Sequence, residues 1–192
     1  MVAAQKGHIK IADALIANGA DIDLKSNHGS TVLIYASEMG HSSLVDCLLT
    51  KGADIDARNN AGWTALMFAT DKGKDETAKL LVNRGADLNM QNNHGRTALM
   101  YATRDGQTAI AKLLISKGAD LNITNDNGRT ALMMATSGGQ SIIASLLVSQ
   151  GADVNIKDKE SKTALSYATE RGRSAAPLVE LLTAKSGGRS CF

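Results

Sequence analysis

Fifteen of the 18 glycines fall on three ladders that share one step of 33 residues. Gly19, Gly52, Gly85, Gly118 and Gly151 each open a Gly-Ala-Asp triplet. Gly29, Gly62, Gly95 and Gly128 form the second ladder, and Gly7, Gly40, Gly73, Gly106, Gly139 and Gly172 the third. Thr31, Thr64, Thr97, Thr130 and Thr163 keep the same step. A fixed period of this size marks a chain that stacks copies of one supersecondary unit rather than closing a single globule. Composition agrees with that. Hydrophobic residues are 43% of 192, yet aromatics are only 3%, whereas one compact core of this size leans on aromatics for its buried area.

One repeat reads as two short helices. Thr64 is a good N-cap, its hydroxyl suited to accept a free amide of the next turn. Ala65, Leu66, Met67 and Ala69 then give a small apolar first helix that ends before Gly73. A second helix around Glu76 to Asn83 carries Ala78, Leu80, Leu81 and Val82 and stops at Gly85, where glycine can take the left-handed conformation. Asp87 to Arg96 is a polar connection closing on Asn-His-Gly, a turn signal. Neither helix is long enough to stand alone. Their apolar faces must be covered by neighbouring repeats, which makes an all-α solenoid with a thin continuous core.

The 33-residue step, Gly-x-Thr-Ala-Leu, the later Gly, Leu-Leu and Gly-Ala-Asp-x-Asn resemble the ankyrin repeat family over about residues 1–185. The resemblance implies helix–turn–helix units joined by β-turn or hairpin-like loops. It places a partial repeat at 1–25, full repeats at 26–58, 59–91, 92–124 and 125–157, a capping repeat at 158–185 and a flexible tail at 186–192. The family's Thr-Pro-Leu-His is replaced by Thr-Val-Leu-Ile, three Thr-Ala-Leu-Met and Thr-Ala-Leu-Ser. The missing histidine falls at Ile34, Met67, Met100, Met133 and Ser166, and methionine packing is expected to replace part of its network.

The two ends depart from the lattice. Met-Val-Ala-Ala matches Met-Phe-Ala-Thr at 67–70, so the chain begins inside a first helix. A complete array and a longer one started at an internal Met are both compatible with that. At the other end Arg173-Ser-Ala-Ala-Pro-Leu-Val-Glu-Leu-Leu holds one extra residue, which aligns Leu181-Leu182 with Leu147-Val148. Glu180 then takes the line of Cys47, Leu80, Leu113 and Leu146, suiting an outer face that meets water.

No reaction chemistry emerges, and no enzyme is expected. The Gly-Ala-Asp aspartates recur once per repeat, about 10 Å apart on the scale of helix packing, so they read as turn residues. No pair among His8, His28, His41 and His94 has metal-ligand spacing. Gly73-Lys74-Asp75 fails as a phosphate loop because Phe68 stands where the first glycine belongs. Met67, Met100 and Met133 read as core and Cys47 as a small buried apolar residue, so no catalytic residue, metal or cofactor is expected. Cys47 and Cys191 form no disulfide framework, and the start lacks a secretory apolar run, which points to a reducing, cytoplasmic location. Ser190-Cys191-Phe192 has the form of a PDZ ligand.

What remains is a surface. By the resemblance, turn tips and first helices line a concave face that contacts a partner protein. Trp63 is the single tryptophan, at a position otherwise held by Ser30, Arg96, Arg129 and Lys162. Two readings stand: it packs on its own turn, or it anchors an interface. Arg96, Arg129 and Lys162 form a basic ladder, read either as a solvated face or as a groove for an acidic or phosphorylated segment. The expected contacts are Trp63, Arg96, Arg104 and Arg129, with Arg58, Lys72, His94 and Lys162 around them. Asp71, Asp105, Asp126, Glu160 and Glu170 interrupt the same face and argue against duplex nucleic acid, as does a net charge of only +2. No stretch approaches 18 apolar residues, so no membrane span is expected. The expectation is a monomeric protein-binding module, with the targeting arm of a larger enzyme, effector or channel as the alternative.

Overall fold

The computed structural model describes residues 1–187, with Arg173 described through its backbone alone. Every residue of the threonine ladder is a helix N-cap. Thr31, Thr64, Thr97, Thr130 and Thr163 have extended backbone, and each hydroxyl oxygen accepts the amide three residues on, at Ile34, Met67, Met100, Met133 and Ser166. Ser166 also returns its side chain to the Thr163 amide, which completes a capping box. The helices that follow are α3 (Val32–Met39), α5 (Ala65–Asp71), α7 (Ala98–Arg104), α9 (Ala131–Gly138) and α11 (Ala164–Glu170). Their partners are α4 (Ser42–Thr50), α6 (Asp75–Asn83), α8 (Thr108–Ser116), α10 (Ser141–Ser149) and α12 (Ala176–Gly187). Helices α1 (Val2–Gln5) and α2 (Ile9–Ala17) form the first pair. The described residues contain no strand, so the architecture is all-α, as the repeat pattern requires.

The helices belong to two compact units, Met1–Asn93 and His94 onward. In the first, α1, α3 and α5 pack in sequence as one layer and α2, α4 and α6 as the other. In the second, α7, α9 and α11 pair against α8, α10 and α12 in the same way. The core of each unit is the seam between its layers. Leu33, Ile34, Leu44, Leu48, Leu66, Met67 and Leu81 are buried in the first unit. Leu99, Met100, Ile110, Leu114, Leu132, Met133 and Leu147 are buried in the second. The methionines at the substituted histidine positions are therefore interior, where a flexible thioether fills space between closely stacked helices.

Burial within the first unit follows the neighbour and not the residue. Ile11, Leu15 and Leu24 are 51%, 52% and 61% exposed, whereas Leu44, Leu48 and Ala57, one repeat later and covered from both sides, are buried.

Three details differ from the sequence reading. Cys47 is half-buried rather than interior, and so are Leu80, Leu113 and Leu146 on the same line, because that line runs along the edge of the second helices. Glu180, on the same line by alignment, is exposed. Helix α12 continues through Ser186 and Gly187, so the expected tail does not begin at 186. Its deepest residues are Leu178 and Leu182, one turn apart, while Leu181 is half-buried; a 3-10 turn at Gly172–Ala175 takes up the extra residue. Ser190-Cys191-Phe192 lies outside the described residues.

The second glycine ladder stops at Gly128, and Ser161 stands at the next rung with φ 61°, the one non-glycine residue of positive φ among those described. At Gly128 a Cβ would lie 3.0 Å from the Cα of Asp158 in the following turn. No described turn follows Ser161, so its side chain has room and only the conformational cost of a left-handed residue remains.

Leu114 has no exposed surface and lies on α8, in the first helix pair of its unit. Leu114→Ala is expected to lower unfolding free energy by roughly 2–5 kcal/mol, while Ile142→Ala, on a side chain 67% exposed, should change it by less than about 0.5 kcal/mol. Urea unfolding followed by circular dichroism measures both.

Candidate functional site

Three of the turn tips are each closed by one side-chain oxygen that accepts two amides. Asn59 Oδ1 accepts the amides of Ala61 and Trp63, each at 3.0 Å. Asn125 Oδ1 accepts those of Asn127 and Arg129 at 2.9 and 3.0 Å, and Asp158 Oδ1 those of Glu160 and Lys162 at 2.9 and 3.0 Å. The tips are also tied in series within each unit. The Asn60 amide donates to His28 O and Asn93 to Ala61 O, each at 3.0 Å. Asp126 donates to His94 O at 3.1 Å and Lys159 to Asn127 O at 3.0 Å. These bonds fix the residue after each turn glycine over its first helix. Sequence reasoning did not single out Asn59, Asn125 or Asp158. Their signal was recurrence three residues ahead of each turn glycine, or of Ser161.

The Gly-Ala-Asp aspartates are turn residues in all five repeats. Asp21, Asp54, Asp87, Asp120 and Asp153 each accept the amide two residues on, at 2.8–3.0 Å. Asp23, Asp56 and Asn122 go further and accept the backbone amide of the next repeat's aspartate, at Asp54, Asp87 and Asp153. The described residues hold no group of three or more His, Cys, Asp or Glu arranged to bind a metal.

In the first unit two of the expected contacts are engaged in building the tip. Arg58 donates from Nε to Gly62 O at 3.2 Å and from Nη2 to Gln91 O at 2.9 Å, clamping its own turn and the next strip of backbone. Trp63 is half-buried and lies on Phe68 with ring centroids 4.7 Å apart and planes tilted 34°. The tryptophan therefore rests on the first helix of its own repeat. Lys72 is exposed and paired with Asp71 at 3.0 Å.

The second unit brings three expected contacts together. Arg96, Arg104 and Arg129 border one groove of about 270 Å³, with Asn125, Asn127, Met134, Ser137 and Gly138. Arg104 holds the carboxylate of Asp105 through Nε at 2.6 Å and Nη2 at 2.7 Å, with its guanidinium 5.1 Å from the Tyr101 ring centroid. Arg129 lies over Tyr167 at 4.9 Å and reaches Asp158 at 3.4 Å and Glu160 at 3.7 Å. Lys162 bonds Glu160 at 3.3 Å and Glu170 at 3.0 Å and lies 5.6 Å from the same Tyr167 ring. His94 is exposed at the tip of its turn. Arg129 and Lys162 of the ladder are thus matched by acids at 158–170, and Arg104 by the adjacent Asp105. Exposed pairs of this kind contribute about 0–1 kcal/mol each, so a better-placed acid can exchange with them.

Asp158 is the exception. Its side chain is 1% exposed, and it accepts a short hydrogen bond from the Tyr167 hydroxyl. Burial works against the carboxylate, but the tyrosine hydroxyl, the Lys162 and Glu160 amides and the Arg129 guanidinium outweigh it and hold Asp158 below its ordinary value. Burial and the same carboxylate push the Tyr167 hydroxyl up.

Short capped helix pairs stacked in two layers, with turn tips bonded in series, define a helical repeat protein. The family profile described as "Ankyrin repeats (3 copies)" matches residues 1–92, 45–125 and 99–188. The chain belongs to the ankyrin repeat family, whose members generally mediate protein–protein interaction. Among solved structures it is similar to an ankyrin repeat domain from Acinetobacter baumannii AYE, with 29% identity, 95% of each chain covered and a TM-score of 0.88. No curated protein matches the sequence. Among the described residues no helix is long and apolar enough to cross a membrane.

Trp63→Ala is expected to cost more than about 1 kcal/mol, the sign of a packed aromatic rather than a surface anchor; Trp63→Phe should recover most of it in the same denaturant titration. Asp158→Asn should cost about 1–3 kcal/mol at pH 7. Because the folded carboxylate titrates below its unfolded value near 3.8, that stabilisation is present at neutral pH and fades as pH falls below about 4–5. Wild type and variant should converge in acid when urea unfolding is repeated from pH 7 down to pH 3.

Proposed function

We propose that the chain is a non-catalytic protein-binding module whose partner presents an acidic segment to the turn tips and first-helix ends, the concave face by family resemblance. The carrying observation is the meeting of Arg96, Arg104 and Arg129 at one groove. Guanidinium forks match a carboxylate bidentately, and Arg104 already holds one in that manner. His94 and Lys162 flank these contacts, and in the first unit Lys72 supplies an exposed cation. Arg58 and Trp63 serve by holding their tip. The turns are fixed by hydrogen bonds before a partner arrives, so little ordering entropy is lost on binding. Asp105, Asp126, Glu160 and Glu170 disfavour a polyphosphate duplex on the same surface. The module acts as a monomer in a reducing, cytoplasmic compartment, without metal or cofactor.

The test is capture from source-cell lysate at low and high salt, comparing wild type with Arg96→Glu/Arg104→Glu. Both residues are at the surface, so circular dichroism should show an unchanged fold. We expect a partner that weakens with salt and is lost from the variant. Equal retention by both proteins would move the contact away from this face.

A further inference from the structure

Three departures from the repeat's own pattern fall in one helix, and together they open the groove. At the register of Tyr35, Phe68, Tyr101 and Tyr167, α9 carries Met134. Where Glu38, Asp71, Arg104 and Glu170 stand it carries Ser137, and where Met39, Lys72, Asp105 and Arg171 stand it carries Gly138. Each exchange puts a smaller or more pliable side chain where the other repeats have a ring, a charged group or a long chain. Backbone geometry does not require the glycine. Gly138 is helical, and an added Cβ would meet only the Cγ of Gln140, at an ordinary 3.6 Å. Glycine is a poor helix residue, so local stability does not favour it either.

We propose that this groove seats one acidic side chain of an extended partner segment, with an apolar side chain two positions along that segment resting on Met134. The inference rests on the reading of the chain as a protein-binding module and specifies what its ligand must carry. The volume, about 270 Å³, fits a side chain or two and falls below the roughly 300–1,000 Å³ of sites that enclose cofactor-sized ligands. Arg104 and Arg129 border it and bind carboxylates of this chain, at Asp105 and at Asp158 and Glu160. An incoming carboxylate would exchange with the exposed members, Asp105 and Glu160, and leave the buried Asp158 in place. Asn125 and Asn127 have their turn geometry fixed by Asn125 Oδ1, which gives the segment a rigid wall. Met134 is half-buried, and its unbranched thioether adapts to an apolar neighbour. In an extended segment, residues two apart share a face, which sets the spacing of acid and apolar group.

A displayed library of random peptides, panned on the immobilised full chain, tests this. Enriched peptides are then titrated by fluorescence polarisation against wild type and against Met134→Tyr/Ser137→Glu/Gly138→Lys. Each introduced residue is one that another repeat carries at that register, so the variant should keep the wild-type circular dichroism spectrum and midpoint. Peptides with Asp or Glu two positions from an apolar residue should be enriched, and their affinity should fall about tenfold or more in the filled variant and weaken with salt. Peptides that bind both proteins equally would overturn the groove while leaving the binding-module reading intact. Groove-dependent peptides without an acid would overturn the proposed chemistry, and a selection that enriches nothing over the filled variant would overturn the site. Failure of the wider reading is distinct, because the lysate capture would then yield no partner sensitive to Arg96 and Arg104.

Discussion

A helix of seven to nine residues does not hold together in water, and every other feature of this protein follows from how that deficit is met. Each helix is closed at one end by its own threonine cap or by the neighbouring turn and covered along one face by its neighbours in the stack. The contrast between Leu15, 52% exposed, and Leu48, fully buried at the same register one repeat later, isolates the second contribution. The two residues are chemically identical and differ in what lies against them. Stability is therefore a property of interfaces, close to a sum of nearest-neighbour terms. Small residues such as Ala36, Ala69, Ala102, Ala135 and Ala168 at the seam let the first helices approach closely enough to supply it.

The turn tips solve a different problem. They project from the helices, bury little apolar surface and would be mobile if left to loop statistics. At three tips one amide or carboxylate oxygen, from Asn59, Asn125 or Asp158, satisfies two backbone amides at once. A second bond passes from each tip to the one before it within the unit. The tip side chains are thereby carried on a hydrogen-bonded frame without the open edge that a sheet would expose.

Nearly all of this frame was legible in the sequence, because it repeats. Thr97 could be assigned as a cap since four other threonines occupied the same place, and Asp87 as a turn residue since four other aspartates did. Side chains whose role depends on a partner that varies between repeats were not legible. Trp63 is decided by Phe68 five residues on, where other repeats have Tyr or Met. The basic ladder looked like a charged strip until Asp105, Glu160 and Glu170 were placed beside it. Arg58 looked like a contact, and its guanidinium also donates to backbone carbonyls of two turns. Periodicity identifies what is common to the repeats, and binding surfaces are made from what differs.

That distinction bears on how such a surface acquires specificity. A guanidinium paired with an acid of the same chain contributes little net attraction, since the incoming carboxylate must replace one already in place. Charge alone would then give weak and indiscriminate binding. Space is what the internal acids cannot supply. On the proposed reading, the bulk given up at Met134, Ser137 and Gly138 lets a partner side chain come close enough for a bordering arginine to exchange one carboxylate for another in a partly desolvated setting, where the pairing is stronger than at the open surface. The neighbouring Asp158–Tyr167 contact keeps Arg129 in position without using the groove itself. Under the proposed binding mode, selectivity is accordingly a matter of which repeat is hollow, and the surrounding cations decide what kind of group fills it.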